Sequence, residues 1–106
     1  MSAIVCPIIA KLARRLRREA NQDEVIDSLI TKMSARADLG FAKYRQTLAR
    51  KDVSQSGWQQ HALEEALDLI AYLEAYQFHH GDNETYSQMQ TSVLVIASIL
   101  ESDLQH

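Results

Sequence analysis

Within the stretch HALEEALDLIAYLEA, residues 61–75, His61, Glu64, Glu65 and Asp68 stand at steps of three, four and seven. That spacing places all four on one stripe of an α-helix. Three carboxylates within two helical turns repel one another, so they persist where water screens them or where a divalent cation offsets them. A Glu at i and an Asp at i+3, as in Glu65 and Asp68, aim oxygen ligands at a common point, and hard oxygen ligands select Mg²⁺ or Mn²⁺. On residue types alone, a solvated strip and a metal site stand level. The rest of the stretch is apolar on more than one side (Leu63, Leu67, Leu69, Ile70, Ala71, Tyr72, Leu73), which predicts a central, well-buried helix whose one polar line faces a site or a narrow strip of water.

The elements that must position this line are helical. The chain has 106 residues, 46% of them hydrophobic, with three glycines and one proline, which fits one domain of residues 1–106 with a modest core that would gain from a partner subunit. Pro7 suits a helical first turn, and Ile8, Ile9, Leu12 and Leu16 continue at helical spacing to about Ala20. Asn21 and Glu24 read as a capping box ahead of an apolar stripe, Val25, Ile26, Leu29, Ile30 and Met33, that ends before Gly40. Residues 41–52, FAKYRQTLARKD, lack clean periodicity and read as a mixture of a helical turn and loop. Ser54 or Ser56 caps a helix from Trp58 to about Phe78. His80-Gly81-Asp82-Asn83 is a turn, and Met89, Val93, Ile96, Ala97, Leu100 and Leu104 keep register along a last helix. The expected fold is an all-α bundle of about four helices completed by dimerisation, because Val95 and Ile99 lie off that last stripe and would be exposed in a monomer.

Net charge is −3, and it is strongly sorted. All 11 Lys and Arg fall at or before Lys51 against five acids, a balance of +6, whereas nine acids and no Lys or Arg follow, a balance of −9. Complementary packing explains this, and so does a division in which one half holds a cation and the other attracts phosphate. The basic run KLARRLRR, residues 11–18, suits an outer bundle face, and the acidic total weighs against sequence-independent nucleic-acid binding. The lone Cys6 rules out an internal disulfide, fits a reducing cytoplasmic setting and is expected to be a small core residue. The apolar residues 3–10 are too few to span a bilayer and precede rather than follow basic residues, so neither a membrane segment nor a targeting signal is expected. His79 and His80 sit beside a turn and are expected to be exposed. No Gly-rich phosphate loop, Cys/His zinc pattern or Ser/His/Asp arrangement is present.

The segment EEALDLIAYL, residues 64–73, resembles the second metal-binding motif of the MazG-like all-α nucleoside triphosphate pyrophosphohydrolases, in which two glutamates precede an aspartate and an apolar Tyr-Leu pair. The preceding KYRQTLARKDVSQSGWQQHALEEALD is similar to short phage-encoded relatives, which carry Lys-Tyr-Gly, a downstream Leu and Trp-x-x-His before the acidic helix. The likeness covers residues 43–73. It implies that Glu65 and Asp68 are the metal-binding pair, that Glu64 is a third ligand or the general base, and that Tyr72 and Leu73 pack. His61 would orient water or contact phosphate, Lys43, Arg45 and Arg50 would hold the distal phosphates, and Tyr44 or Trp58 would stack on the base. Two departures stand out. Arg45 replaces the glycine after Lys43-Tyr44, and the family's ExxE on the preceding helix is missing, with Glu24 and Asp27 the nearest substitute pair. The implied activity is Mg²⁺- or Mn²⁺-dependent cleavage of a (deoxy)nucleoside triphosphate between its α and β phosphates. The alternative is a catalytically silent helical dimer that acts as an interaction or regulatory protein.

Overall fold

The computed structural model describes residues 6–20 and 23–106, without the side chains of Ala20 and Tyr44. Among the described residues the chain is all-α, with four helices and no strand: α1 (Pro7–Ala20), α2 (Glu24–Tyr44), α3 (Gln55–His80) and α4 (Glu84–Gln105). It divides into two compact units, one ending at Asp52 and the other beginning at Val53, each a pair of helices packed on one another.

In the first unit α1 meets α2 through Cys6, Ile9 and Ala13 on one side and Ile30 on the other, all buried. Cys6, 1% exposed, is the core residue its apolar neighbours suggest. The capping differs from the expected box. Asn21 lies outside the described residues, and the N-cap of α2 is Asp23, whose carboxylate accepts from the Val25 and Ile26 amides at 2.7 and 3.3 Å. Glu24 is therefore the first helical residue rather than the back-bonding partner of a box. Nor does α2 stop before Gly40. The helix runs four residues further and ends at Arg45, which takes the left-handed conformation (φ 57°) while its N–H reaches the Phe41 carbonyl at 2.7 Å. A mid-helix glycine costs only about 1 kcal/mol relative to alanine, too little to end a helix that still has a seam to bury. Val25 and Leu29, expected on the apolar stripe, are exposed, because α1 covers only the strip through Ile26, Ile30 and Met33.

The second unit is an antiparallel hairpin. Ser54 caps α3 by accepting from the Gly57 amide at 3.0 Å, and Asn83 caps α4 by accepting from the Tyr86 amide at 3.0 Å. Gly81 closes α3 at φ 96°, a conformation open to glycine at little cost. On α4 the residues that are not exposed are Tyr86, Gln90, Val93, Ala97, Leu100 and Leu104, an unbroken alternation of four and three. The matching strip on α3 is Gln59, Leu63, Ala66, Ile70, Leu73 and Gln77. This is a coiled-coil seam, in which a stripe repeating every 3.5 residues keeps facing one partner.

A two-helix seam covers one stripe of each helix and no more, and three expectations fail for that reason. α3 is not buried on several sides: Leu67, Leu69 and Tyr72 are exposed, and only Leu63, Leu73 and Gln77 are fully buried along it. Tyr72, expected to pack with Leu73, is 72% exposed. On α4, Met89 and Ile96 fall outside the seam.

The seam contains one buried polar residue. Gln77, 5% exposed, accepts at Oε1 from the Asn83 amide (3.1 Å) and the Ser87 hydroxyl (2.9 Å), and donates from Nε2 to the Leu73 carbonyl (3.3 Å) and to Gln90 Oε1 (3.0 Å). Gln90 in turn donates to the Ile70 carbonyl at 3.0 Å. Replacing Gln77 by Ala removes four hydrogen bonds and leaves the Asn83 amide and Gln90 Oε1 without a partner, so a loss of about 1–3 kcal/mol is expected. Urea denaturation followed by circular dichroism measures it; a change under about 0.5 kcal/mol would mean that the network contributes nothing to stability.

Candidate functional site

α3 positions the acidic line through its start and its seam. At its start, a Cβ on Gly57 would lie 2.9 Å from Val53 Cγ1 and 3.1 Å from Ser54 Oγ, so a larger residue there would displace the side chains of residues 53–54 where they cap the helix that carries Trp58 and His61. The Trp58 and His61 rings are 6.0 Å apart between centroids and tilted. Along the helix, the seam through Leu63, Ala66, Ile70 and Leu73 faces α4, and His61, Glu64, Glu65 and Asp68 lie on the opposite side, all exposed. The structure thus brings the four predicted residues onto one line, and the line is open to water rather than enclosed.

Glu64 accepts from Gln60 Nε2 at 3.2 Å, one turn earlier. Among the described residues Glu65 and Asp68 have neither an ion pair nor a hydrogen bond from a side chain, and the chain from Val53 onward contains no Lys or Arg to supply one. Their repulsion is relieved by solvent. Two carboxylates one turn apart on a rigid helix suit a Mg²⁺-type ion, which is commonly held by one or two carboxylates together with waters and substrate phosphates. A complete protein shell is a different matter: among the described residues no group of three or more His, Cys, Asp or Glu side chains is placed to hold a metal.

The same line extends past the predicted residues. Tyr72 follows Asp68 at i+4 and His79 follows Tyr72 at i+7, both exposed, so a phenol and a second imidazole continue the stripe. The spacing was available in the sequence; the apolar context of Tyr72 obscured it. At the end of the hairpin Tyr76 meets His80 and Tyr86, with ring centroids 4.9 and 4.8 Å apart.

The other predicted residues belong to the first unit. Glu24 and Asp27 occupy the first turn of α2, where the helix dipole favours carboxylates. Asp27 also faces Arg17 of α1 at 3.4 Å, a solvent-exposed pair. Both residues therefore have structural uses that require no metal. Lys43 is exposed in the last turn of α2 and engaged in an interaction, and Arg45 is the exposed left-handed cap. The Tyr44 side chain lies outside the described residues. Arg50 is committed to Asp52: its guanidinium makes a two-pronged pair, with Nε at 2.6 Å from Asp52 Oδ1 and Nη2 on Oδ2. That hydrogen bonding lowers the Asp52 carboxyl to about 2 and raises the Arg50 guanidinium, desolvation opposing in both.

Comparison of the chain with known protein families, with curated proteins and with solved structures returns no match.

The Arg50 pair has a pH signature. Because the folded Asp52 pKa lies below its unfolded value, the pair's contribution is present above the ordinary carboxylate range and is lost as pH falls through the folded value of about 2. Carboxyl titration by NMR should find Asp52 near 2 in the parent and back toward the ordinary aspartate value, about 3.9, in Arg50→Ala. An unchanged midpoint in the variant would separate Arg50 from that shift.

Proposed function

We propose that this chain is a Mg²⁺- or Mn²⁺-dependent (deoxy)nucleoside triphosphate pyrophosphohydrolase, acting as a homo-oligomer and cleaving between the α and β phosphates. The observation that carries the reading is the exposed line of Glu64, Glu65 and Asp68 on one rigid helix, with no cation in the rest of the chain from Val53 onward. The resemblance of residues 43–73 to the MazG-like enzymes supplies the reaction.

Glu65 and Asp68 would hold the ion, which would supply charge to offset the phosphate oxygens and would lower the pKa of an attacking water. Glu64, on the same face, takes the proton from that water as it adds to phosphorus, and the phosphoanhydride bond between α and β breaks to release pyrophosphate and the nucleoside monophosphate. His61, one turn earlier, orients the water or contacts a phosphate. Lys43, Arg45 and Arg50 belong to the first unit; that they hold the distal phosphates is what the resemblance implies, and Arg50 would have to share its guanidinium with Asp52. Trp58, half-buried at the start of α3, offers a face on which a base can stack.

A second reading rests on its own observation. With no three metal-ligating side chains grouped among the described residues and an exposed apolar face on α4, the chain also suits a catalytically silent helical protein that acts through its surfaces.

Two measurements separate the readings. A panel of nucleoside and deoxynucleoside triphosphates with millimolar Mn²⁺ or Mg²⁺ should release pyrophosphate, with kcat/KM at least about 100-fold lower for Asp68→Asn or Glu65→Gln, a loss of about 2.7 kcal/mol in transition-state stabilisation. Primary release of orthophosphate would mean a different reaction. Melting curves test the site without catalysis. Because Asp68 faces water, Asp68→Asn without metal should stay within about 0.5 kcal/mol of the parent. Mn²⁺ at about a hundred times its dissociation constant should stabilise the parent by about 2.7 kcal/mol and leave the variant unmoved. A parent that ignores the ion and releases no pyrophosphate would leave the silent reading in place.

A further inference from the structure

The basic run of α1 has no role in the nucleotide reading. α1 meets α2 through Cys6, Ile9 and Ala13, with Leu12 and Leu16 half-buried at the margins of that strip. Lys11, Arg14, Arg15 and Arg18 follow at steps of three, one and three on the opposite side of the helix, and all four are exposed. Arg17 stands apart from them, turned toward Asp27 of α2 at 3.4 Å. None of the four is paired with a carboxylate among the described residues.

We propose that this row is a docking surface for the phosphate backbone of duplex nucleic acid, bound without regard to sequence. Three observations carry it. The first is local charge. The net charge of −3 weighs against such binding only while the chain is taken as one body. The chain divides at Asp52, and the unit that contains α1 holds 11 Lys and Arg against six acids, a balance of +5. On α1 itself Glu19 is the only acid. At physiological salt a charge more than about 8 Å away is largely screened, so a phosphate meets the face rather than the total.

The second is charge density. From Lys11 to Arg18 the row spans about 10.5 Å along the helix. Over that length a duplex presents about six phosphate charges, one for each 1.7 Å or so of its axis. An acidic helix, which repeats one face every three or four residues, offers about half as many. Three of the four side chains in the row are Arg, whose planar fork meets phosphate oxygens two at a time.

The third is what α1 has left to offer. A helix that lies in a membrane surface needs its apolar face for the acyl chains, and α1 has committed Ile9 and Ala13 to α2. Only Ile8, 47% exposed, remains as an open apolar side chain beside the row. α1 has no aromatic ring on which an unpaired base could stack and no Asn or Gln to read a base edge. The face therefore suits the backbone of paired strands.

This inference goes beyond the nucleotide reading and is independent of it, because its assay runs in a chelator with no nucleotide present. Fluorescence anisotropy of the full chain with a short labelled DNA duplex should show binding that is equal for duplexes of different sequence. Between about 50 and 200 mM salt, the logarithm of the association constant should fall against that of salt with a slope of about −3.6, one phosphate for each of the four side chains. Arg14→Gln/Arg18→Gln, at exposed positions and with helical circular dichroism retained, should weaken binding at least about tenfold and bring the slope to about −1.8. Lys32→Gln/Arg36→Gln, exposed on α2 off the strip that meets α1, should leave the slope unchanged and the affinity within about twofold. No binding at the lowest salt would overturn the proposal, as would a slope that Arg14→Gln/Arg18→Gln leaves unchanged or an equal loss from the α2 pair. Competition by poly-glutamate, or by vesicles of equimolar phosphatidylserine and phosphatidylcholine, as strong as that of unlabelled duplex at equal charge would also overturn it, and would assign the row to an acidic protein or to a membrane surface.

Discussion

One side chain, Gln77, fixes the geometry on which the second unit depends. A coiled-coil seam is quasi-periodic, and a hairpin whose apolar residues repeat every seven positions can in principle slide by a repeat without losing much burial. Polar groups in the seam remove that freedom, because a slipped register leaves them buried without partners. Gln77 uses both ends of its amide: Oε1 holds the Asn83 amide in the turn and the Ser87 hydroxyl in α4, while Nε2 holds Gln90 across the seam. Gln90 extends the lock to the Ile70 carbonyl and to Glu74. No buried side-chain nitrogen or oxygen among the described residues lacks a partner, so the network contributes specificity without an unsatisfied group.

Once the register is fixed, so are the outward faces. A rotation of either helix by a single residue would swing its surface through about 100°. With the seam as it stands, α3 turns a charged line to water and α4 turns a largely apolar one that ends at Asp103. The two faces differ in what they can tolerate. The carboxylates of α3 are stable apart only while water or a cation screens them, which keeps that face open. The apolar stripe of α4 gains by losing water, about 25 cal/mol for each Å² covered. One hairpin thus carries a charged face on α3 and a largely apolar one on α4.

The helices were legible in the sequence because their signals are local. Pro7, Ser54, Gly81 and Asn83 mark ends through their own backbone chemistry, and the structure places them there. The stripe from His61 to Asp68 was legible for the same reason, since helical spacing alone aligns it. What local reading missed is tertiary. The composition around Leu67, Leu69 and Tyr72 suggests burial on several sides, but how many sides are covered depends on the number of neighbouring helices, and each described seam has one. Gln77 carries no local signal in the sequence, and its role emerges only when Asn83, Ser87 and Gln90 are brought to it. Asp23 in place of Asn21 as the cap of α2 is a shift of two residues, the usual scale of error at a helix end.

The pairing of Arg50 with Asp52 and the absence of cations after Lys51 bear on the same question, namely where compensation for negative charge comes from. Arg50 already has a carboxylate, so its attraction for a phosphate is reduced by that partner's charge. Glu65 and Asp68 have no such partner among the described residues. The uncompensated charge therefore sits on α3, where water screens it. On the proposed reading a divalent ion would offset it with two charges at one point, and the phosphates of a nucleotide would fill the coordination positions that two carboxylates leave open. Ion and nucleotide would then favour each other's binding, because each would supply what the other's site lacks.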